Sequence, residues 1–146
     1  MKDEIKVMVE ITTPNARLPK YATEGSAGMD LYCIDDGYVP PMERKLISTG
    51  LKMAIPVGYE GQIRPRSSLA LKYGVTVLNA PGTIDSDYRG TIQVLLMNLS
   101  DMDFYMKRGD RIAQIVFAKV AQIGVAVVHS LPTTDRGEGG FGSTGR

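Results

Sequence analysis

The stretch NAPGTIDSDYRGTIQVLLMN, residues 79–98, decides how we interpret this chain. Apolar and β-branched runs flank a turn, which is the pattern of a β-hairpin. Pro81 and Gly82 fall inside the first strand and predict an interrupted ladder, whose unpaired backbone groups could hydrogen-bond the edge of a flat heterocycle. Four chemically active side chains occupy the turn: Asp85, Asp87, Tyr88 and Arg89. The ordinary alternative is a decorated loop in which the two acids are turn formers.

Composition limits the classes of function. A chain of 146 residues with a net charge of +1 suits one domain without general attraction to nucleic acid or anionic lipid. The single Cys33 and the single His129 exclude an intrachain disulfide and a His/Cys metal cluster, but a hard cation held by carboxylates or substrate phosphates remains possible. Residues 1–10 contain no apolar signal-peptide core, and residues 112–131 favour two strands joined near Lys119 over a membrane span. We therefore expect a cytoplasmic protein that binds neither nucleic acid nor membrane.

Short β-rich runs with turn signals between them recur along the chain. This spacing is typical of an all-β sandwich or barrel of the jelly-roll kind. Only SSLALKYG, residues 67–74, has a helical pattern. We expect Ser67 or Ser68 to cap the start of this helix and Gly74 to end it.

The C-terminal residues differ in character from the rest. GEGGFGSTGR, residues 137–146, contains five glycines and cannot contribute to a packed core, so a disordered end is the ordinary interpretation. A plain linker, however, has no need of Phe141 or of Arg136 just ahead of it. We predict a core domain over residues 1–132 and a flexible arm over residues 133–146.

Three other segments carry polar side chains with more than one interpretation. Arg66 precedes a helix start whose free N–H groups suit a phosphate, although an ordinary capped helix with a surface arginine is equally compatible. Asp30 lies in an apolar strand, where two-residue alternation would let it face solvent. Asp110 and Arg111 could simply pair with each other. Gln114 stands in a run that favours apolar groups and therefore needs a hydrogen-bond partner.

Five segments together resemble the five motifs of the trimeric deoxyuridine triphosphatases (dUTPases), in their order and approximate spacing. The segments are AGMDLY (27–32), PRSSLALKYG (65–74), GTIDSDYRGTIQVLLMN (82–98), RGDRIAQIVF (108–117) and RGEGGFGSTG (136–145). The resemblance runs from residue 5 to the end of the chain. Departures are slight: Ser68 stands where many members have glycine, and the tail aromatic is Phe141.

The resemblance implies a jelly-roll-like homotrimer with one short helix that hydrolyses dUTP to dUMP and pyrophosphate. This activity would keep uracil out of DNA and supply dUMP for thymidylate synthesis. Asp85 would orient and deprotonate the water that attacks the α-phosphorus. Mg²⁺ would be held mainly by the substrate phosphates, and Asp30 would bind part of its water shell.

The resemblance also implies how the substrate is bound. Main-chain groups around Asn79, Gly82 and Ile84 would bind uracil, Tyr88 would pack against the deoxyribose, and Phe141 would stack on the base. The phosphates would be bound by Arg66, Ser67, Ser68 and Gln114 and by tail residues Arg136, Ser143 and Thr144, with Gly142 as a further substrate contact. One subunit would supply the group around Asp30, a second the hairpin and a third the tail. Asp87 and Arg89 are expected to be structural, because a turn charge usually meets solvent.

Two alternatives remain. The dCTP deaminases have a similar fold and bind a similar nucleotide, but their chemistry needs a proton-shuttling Glu beside the base, and the hairpin has none. A nucleotide-responsive regulatory protein would keep the site and act by binding a partner. The presence of Asp85 favours retained catalysis, with regulation as a possible additional role.

Overall fold

A computed structural model describes residues 4–145, which form eleven strands and one short helix. The elements in chain order are β1 (Met8–Ile11), β2 (Lys20–Tyr21), β3 (Met29–Tyr32), β4 (Gly37–Val39), β5 (Arg44–Ala54), β6 (Tyr59–Arg64), α1 (Ser67–Tyr73), β7 (Val75–Val77), β8 (Gly82–Ile84), β9 (Thr91–Asn98), β10 (Phe104–Met106) and β11 (Arg111–Lys119). The prediction of an all-β chain with one short helix is confirmed. Residues 1–3 of the predicted core domain and residue 146 of the predicted arm lie outside the described residues.

Two main antiparallel sheets build the domain. One has the strand order β1-β5-β9-β7, the other has the order β2-β3-β11-β6-β8, and β10 pairs with β4 in a separate ribbon. Alternation decides which faces are buried: in β9 the side chains of Ile92, Val94 and Leu96 are buried and Gln93 is exposed. Residues from both sheets, among them Leu96 and Ile115, belong to one hydrophobic core.

The helix α1 begins one residue earlier than the serine-cap prediction. Its N-cap is Arg66, in an extended conformation (φ −91°, ψ 133°) and without a side-chain cap hydrogen bond, so the prediction that Ser67 or Ser68 caps the helix is wrong. Both serines lie inside the first turn. Gly74 ends the helix as predicted: its φ is 65°, and its N–H donates to the carbonyl oxygen of Ala70 at 3.1 Å.

The segment around Pro81 changes sheets. β7 pairs with β9, whereas β8 pairs with β6 in the other sheet, where Gly82 lies opposite Ile63. The predicted interruption of the first strand is thus confirmed, but the simple hairpin is wrong, because β8 and β9 on either side of the turn belong to different sheets. Close packing explains the glycine, since a Cβ at Gly82 would lie 3.3 Å from the Cβ of Ile63.

The chain after β11 does not form the second strand predicted for residues 112–131. β11 ends at Lys119, and residues 120–131 are without strand structure. Alternate apolar side chains of this run are left in solvent: Ile123 is 83% exposed, Val125 92% and Val127 98%. A strand needs a neighbouring strand for its backbone hydrogen bonds, and the described part of this chain provides none here. None of the described residues forms a helix with the length and apolarity that a membrane crossing requires.

Candidate functional site

Asp30 is the centre of an ionic cluster between β3, β11 and the start of α1. Its Oδ1 lies 3.7 Å from Arg66 Nε, and its Oδ2 lies 3.5 Å from Arg111 Nη1. Only 16% of the Asp30 side chain is exposed, so the alternative in which this side chain faces solvent is wrong. The pairing of Arg111 with Asp110 is also wrong, because Asp110 Oδ2 instead accepts the backbone N–H of Lys107 at 2.9 Å.

Charge in this cluster favours an anion. Two guanidinium groups surround one carboxylate, which leaves one positive charge beyond neutrality in a place that water reaches only partly. A net charge of +1 for the whole chain provides little general attraction, so the attraction for a phosphate must be local. Arginine's planar donors also match phosphate oxygens geometrically.

Gln114 has the partner that its position in an apolar strand requires. Its Nε2 donates to the carbonyl oxygen of Pro65 at 2.9 Å. On the other side stands Gly28, where a Cβ would clash with Gln114 Oε1 and lie 3.1 Å from its Cδ. The absence of a side chain at Gly28 therefore leaves space for the amide of Gln114.

The segment that enters the helix is tied to β11 at two points. Besides the bond from Gln114 to Pro65, Arg66 Nη1 donates to the carbonyl oxygen of Arg111 at 3.1 Å. These bonds position Arg66 and the exposed Ser67 beside a cleft of about 530 Å³ that Gln114 also lines. Ser68 is half-buried in the same first turn and does not line this cleft.

The carboxylates present fit a magnesium ion that keeps most of its water. Within residues 4–145, no group of three or more His, Cys, Asp or Glu side chains could hold a metal ion. Asp30 is the carboxylate of the ionic cluster, and a single carboxylate beside a phosphate site suits Mg²⁺ bound through waters and phosphate oxygens. The donor set is therefore compatible with the metal that the resemblance implies.

The turn after β8 is ordered by its own hydrogen bonds. The N–H of Tyr88 donates to the carbonyl oxygen of Asp85 at 3.2 Å, and the Tyr88 hydroxyl donates to that of Thr91 at 3.1 Å. Arg89 Nη1 donates to the carbonyl oxygen of Ser86 at 2.7 Å, which agrees with the structural role expected for Arg89. Asp87 is exposed.

Asp85 lies apart from the Asp30 cluster in this single chain. Its side chain is exposed and lines a second cleft, of about 410 Å³, together with Tyr59, Glu60 and Gln122. Neighbouring β8 is the last strand of its sheet, so one of its edges has no strand partner among the described residues. That edge contains the backbone of Gly82 and Ile84, and a Cβ at Gly82 would lie 3.3 Å from Asn79 Nδ2.

The tail residues also stand apart from the cluster. The hydrogen bonds of residues 133–145 link residues three positions apart, as in the bond from Arg136 Nε to the carbonyl oxygen of Gly139 at 2.7 Å. Phe141 is fully exposed, and Gly142, Ser143 and Thr144 are exposed with it. Within residues 4–145, a single chain therefore brings Asp30 close to Arg66, Ser67 and Gln114 but not to Asp85 or the tail.

Arg111 is the site residue that sequence reasoning missed. Its strand pairs with β3 through an irregular register between Arg111 and Ala113. Such a bulge re-aims a side chain, so simple two-residue alternation does not tell on which face the arginine lies. The signal that was available is its position three residues before Gln114, at the start of the same strand.

The fold and this cluster define an all-β protein with a local cationic site suited to an anion. The family profile of the dUTPases matches residues 14–145. Relatives named deoxyuridine 5'-triphosphate nucleotidohydrolase include that of Hydrogenobaculum sp., 54% identical over 97% of this chain and 99% of the relative, and that of Wolinella succinogenes, 52% identical over 98% and 96%. The dUTPase of Staphylococcus bacteriophage 80alpha, solved with dUPNHPP, is 25% identical and superposes with a TM-score of 0.90, covering 97% of this chain and 99% of that one. The chain belongs to the dUTPase family.

Proposed function

We propose that this chain hydrolyses dUTP to dUMP and pyrophosphate. The observation that carries the proposal is the cluster of Arg66, Arg111 and Gln114 around Asp30, beside the open start of α1. The names of its relatives agree with this substrate, and the phage relative was solved with the nucleotide dUPNHPP. Family membership and a suitable phosphate site therefore support the same reaction.

The phosphate chain is oriented by Arg66, Ser67 and Gln114. The side chains of Arg66 and Gln114 are already held by hydrogen bonds that join β11 to the segment before α1. They therefore lose little conformational freedom when they bind a phosphate. Asp85 orients the attacking water and accepts its proton as the oxygen–phosphorus bond forms. Mg²⁺, when bound, neutralises phosphate charge, and Asp30 holds part of its water shell.

The base and sugar are selected by the segment around β8. The free edge of this strand offers backbone donors and acceptors around Gly82 and Ile84 to uracil. Cytosine is rejected because its amine would meet a backbone donor and leave buried polar groups unpaired. Tyr88, whose hydroxyl is tied to Thr91, packs against the deoxyribose and excludes a ribose 2′-hydroxyl.

The active unit is a jelly-roll homotrimer with shared sites. Support comes from the exposed apolar run that includes Ile123, Val125 and Val127, since side chains of this kind are usually covered by a partner. Further support comes from the separation, within one chain, of Asp85 and the tail from the Asp30 cluster. Cyclic symmetry completes three such sites equally, with a neighbour's tail closing over each.

A nucleotide panel tests the reaction. The protein is incubated with dUTP, dCTP, dTTP and UTP in the presence of Mg²⁺, and pyrophosphate and ammonia are followed separately. We expect pyrophosphate from dUTP alone and no ammonia from dCTP. Ammonia release would support the deaminase alternative, and comparable turnover of UTP would contradict the proposed sugar selection.

Mixed trimers test the shared site. An Asp85→Asn variant with an intact tail is refolded at equal ratio with a chain that lacks residues 136–146. If hairpin and tail come from different subunits, random assembly repairs about one half times one half, roughly a quarter, of the sites. No recovery of activity in confirmed hybrid trimers would show that one chain supplies both parts.

A further inference from the structure

A third cleft, lined by Arg17 and Lys20, adjoins the ionic cluster around Asp30. It measures about 550 Å³ and shares Asp30 and Arg111 with that cluster. Two further cations line it, Arg17 and Lys20, and neither belongs to the five motifs that the sequence resemblance uses. Lys20 on β2 lies opposite Asp30 in the strand register, so the cleft opens directly beside the carboxylate.

The guanidinium of Arg17 is held in place by its surroundings. Its Cζ lies 5.7 Å from the centre of the Tyr32 ring, a cation–π arrangement. The guanidinium also packs against Gly109, where φ is 86° and a Cβ would lie 2.7 Å from Arg17 Cζ. Any side chain at Gly109 would displace the guanidinium of Arg17. The turn before β11 therefore helps to shape this cleft.

Positive charge in the cleft is not fully neutralised. The ion pairs of residues 4–145 are those that Asp30 makes with Arg66 and Arg111, so Arg17 and Lys20 are unpaired with carboxylates in this part of the chain. Of the two acids that line the cleft, Asp30 already has two arginine partners and Asp110 accepts a backbone N–H. A small, highly charged anion would gain Arg17 and Lys20 as new partners.

We propose that this cleft binds inorganic pyrophosphate, the product of the proposed reaction, as it leaves the nucleotide site. The cleft begins at the carboxylate beside which the phosphates are bound, and its free cations match a compact polyanion. The role as a product site rests on the proposed function, whereas the binding of pyrophosphate does not. The cleft of about 530 Å³ beside the start of α1 is lined by Arg66, Ser67 and Gln114, and these residues bind the substrate phosphates in the proposed reaction.

A titration with pyrophosphate tests the site. The full-length protein is first saturated with dUPNHPP, so that the nucleotide site is filled, and inorganic pyrophosphate is then added in a calorimeter. We expect one pyrophosphate per chain, and an affinity at least about tenfold lower in the double variant Arg17→Gln/Lys20→Gln, because two charge-assisted contacts are lost. The matched control Arg44→Gln/Lys45→Gln removes the same charge from the exposed start of β5 and should bind as the wild type does.

Three results would overturn the proposal. These are no pyrophosphate binding by the nucleotide-saturated wild type, equal binding by the Arg17/Lys20 double variant, or an equal loss in the control. An increase in KM for dUTP as large as the loss of pyrophosphate affinity would also overturn it, by placing the cleft in the substrate's own site. A protein that binds pyrophosphate through Arg17 and Lys20 but does not hydrolyse dUTP would refute the proposed function and leave the binding site standing.

Discussion

Replacing Gly28 with alanine should disturb the proposed phosphate site without changing any charged group. The added Cβ would clash with Gln114 Oε1 and lie 3.1 Å from Gln114 Cδ and 3.2 Å from its Cβ. Because the Gln114 backbone is fixed in β11 opposite β3, the amide must rotate away. Rotation breaks its 2.9 Å hydrogen bond to the carbonyl oxygen of Pro65.

The size of the effect follows from that bond. Losing it and leaving a half-buried carbonyl without its partner costs about 1–3 kcal/mol, offset by about 0.4–1 kcal/mol because alanine reduces the freedom of the unfolded chain. The net loss of about 1 kcal/mol corresponds to a Tm decrease of about 4 °C for a chain of this size. In the proposed reaction Gln114 binds a phosphate, so its displacement should lower kcat/KM for dUTP about tenfold.

Gly25→Ala provides the matched control. A Cβ at Gly25 would have nothing within 4 Å, so this variant should turn over as the wild type does. It should melt about 2–4 °C higher than the wild type, because alanine reduces the freedom of the unfolded chain here too. Both variants are compared with the wild type by thermal unfolding at one protein concentration and by initial rates of pyrophosphate release. If Gly28→Ala had the same Tm and kcat/KM as Gly25→Ala, the space at Gly28 would not be what positions Gln114.

Two further predictions concern a carboxylate and a thiol. Asp85→Asn should lower kcat at least about 10²-fold with nucleotide binding nearly intact, because the general base is lost. Asp87→Asn, in the same exposed turn, should leave kcat unchanged. Equal rates for the two variants would show that Asp85 is only a turn residue. Burial raises the pKa of the Cys33 thiol above its ordinary value of 9.0. The stability that depends on the protonated thiol is therefore fully present below the pKa of the unfolded state. It is lost as pH rises from that pKa through the higher pKa of the folded state. The difference in unfolding free energy between wild type and Cys33→Ala should shrink as pH rises above 9.0, and a constant difference would contradict the assignment.

Local patterns predicted the parts of the fold that local physics decides. The alternation in TIQVLLMN matches β9, Gly74 ends the helix, and Gln114 has the polar partner that an amide in an apolar strand requires. The serine cap failed because the side chain that precedes the helix, Arg66, is engaged with Asp30 and β11, and the helix begins directly after it. That engagement is a long-range contact, which propensity at the helix start does not contain.

The other predictions that the structure contradicts also depended on pairing between distant parts of the chain. Nothing in the residues of β8 indicates that its partner is β6 rather than β9, because an edge strand of three residues can pair with either. The irregular register beside Arg111 likewise decides its contact with Asp30. For residues 123–131 the alternating apolar pattern is that of a strand, but pattern alone does not say whether the strand's neighbour is in the same chain.

The change of sheets between β7 and β9 has a consequence for how specificity can vary. The excursion begins after Leu78, whose N–H donates to the carbonyl oxygen of Leu95 at 2.9 Å, and ends where β9 starts at Thr91. Its anchors are backbone bonds, and its only regular pairing is the short ladder of Gly82–Ile84 with β6. The segment between Leu78 and Thr91 is therefore held by its backbone and not by particular side chains. We therefore expect that side chains of this segment can be exchanged while the register of the core strands stays as it is.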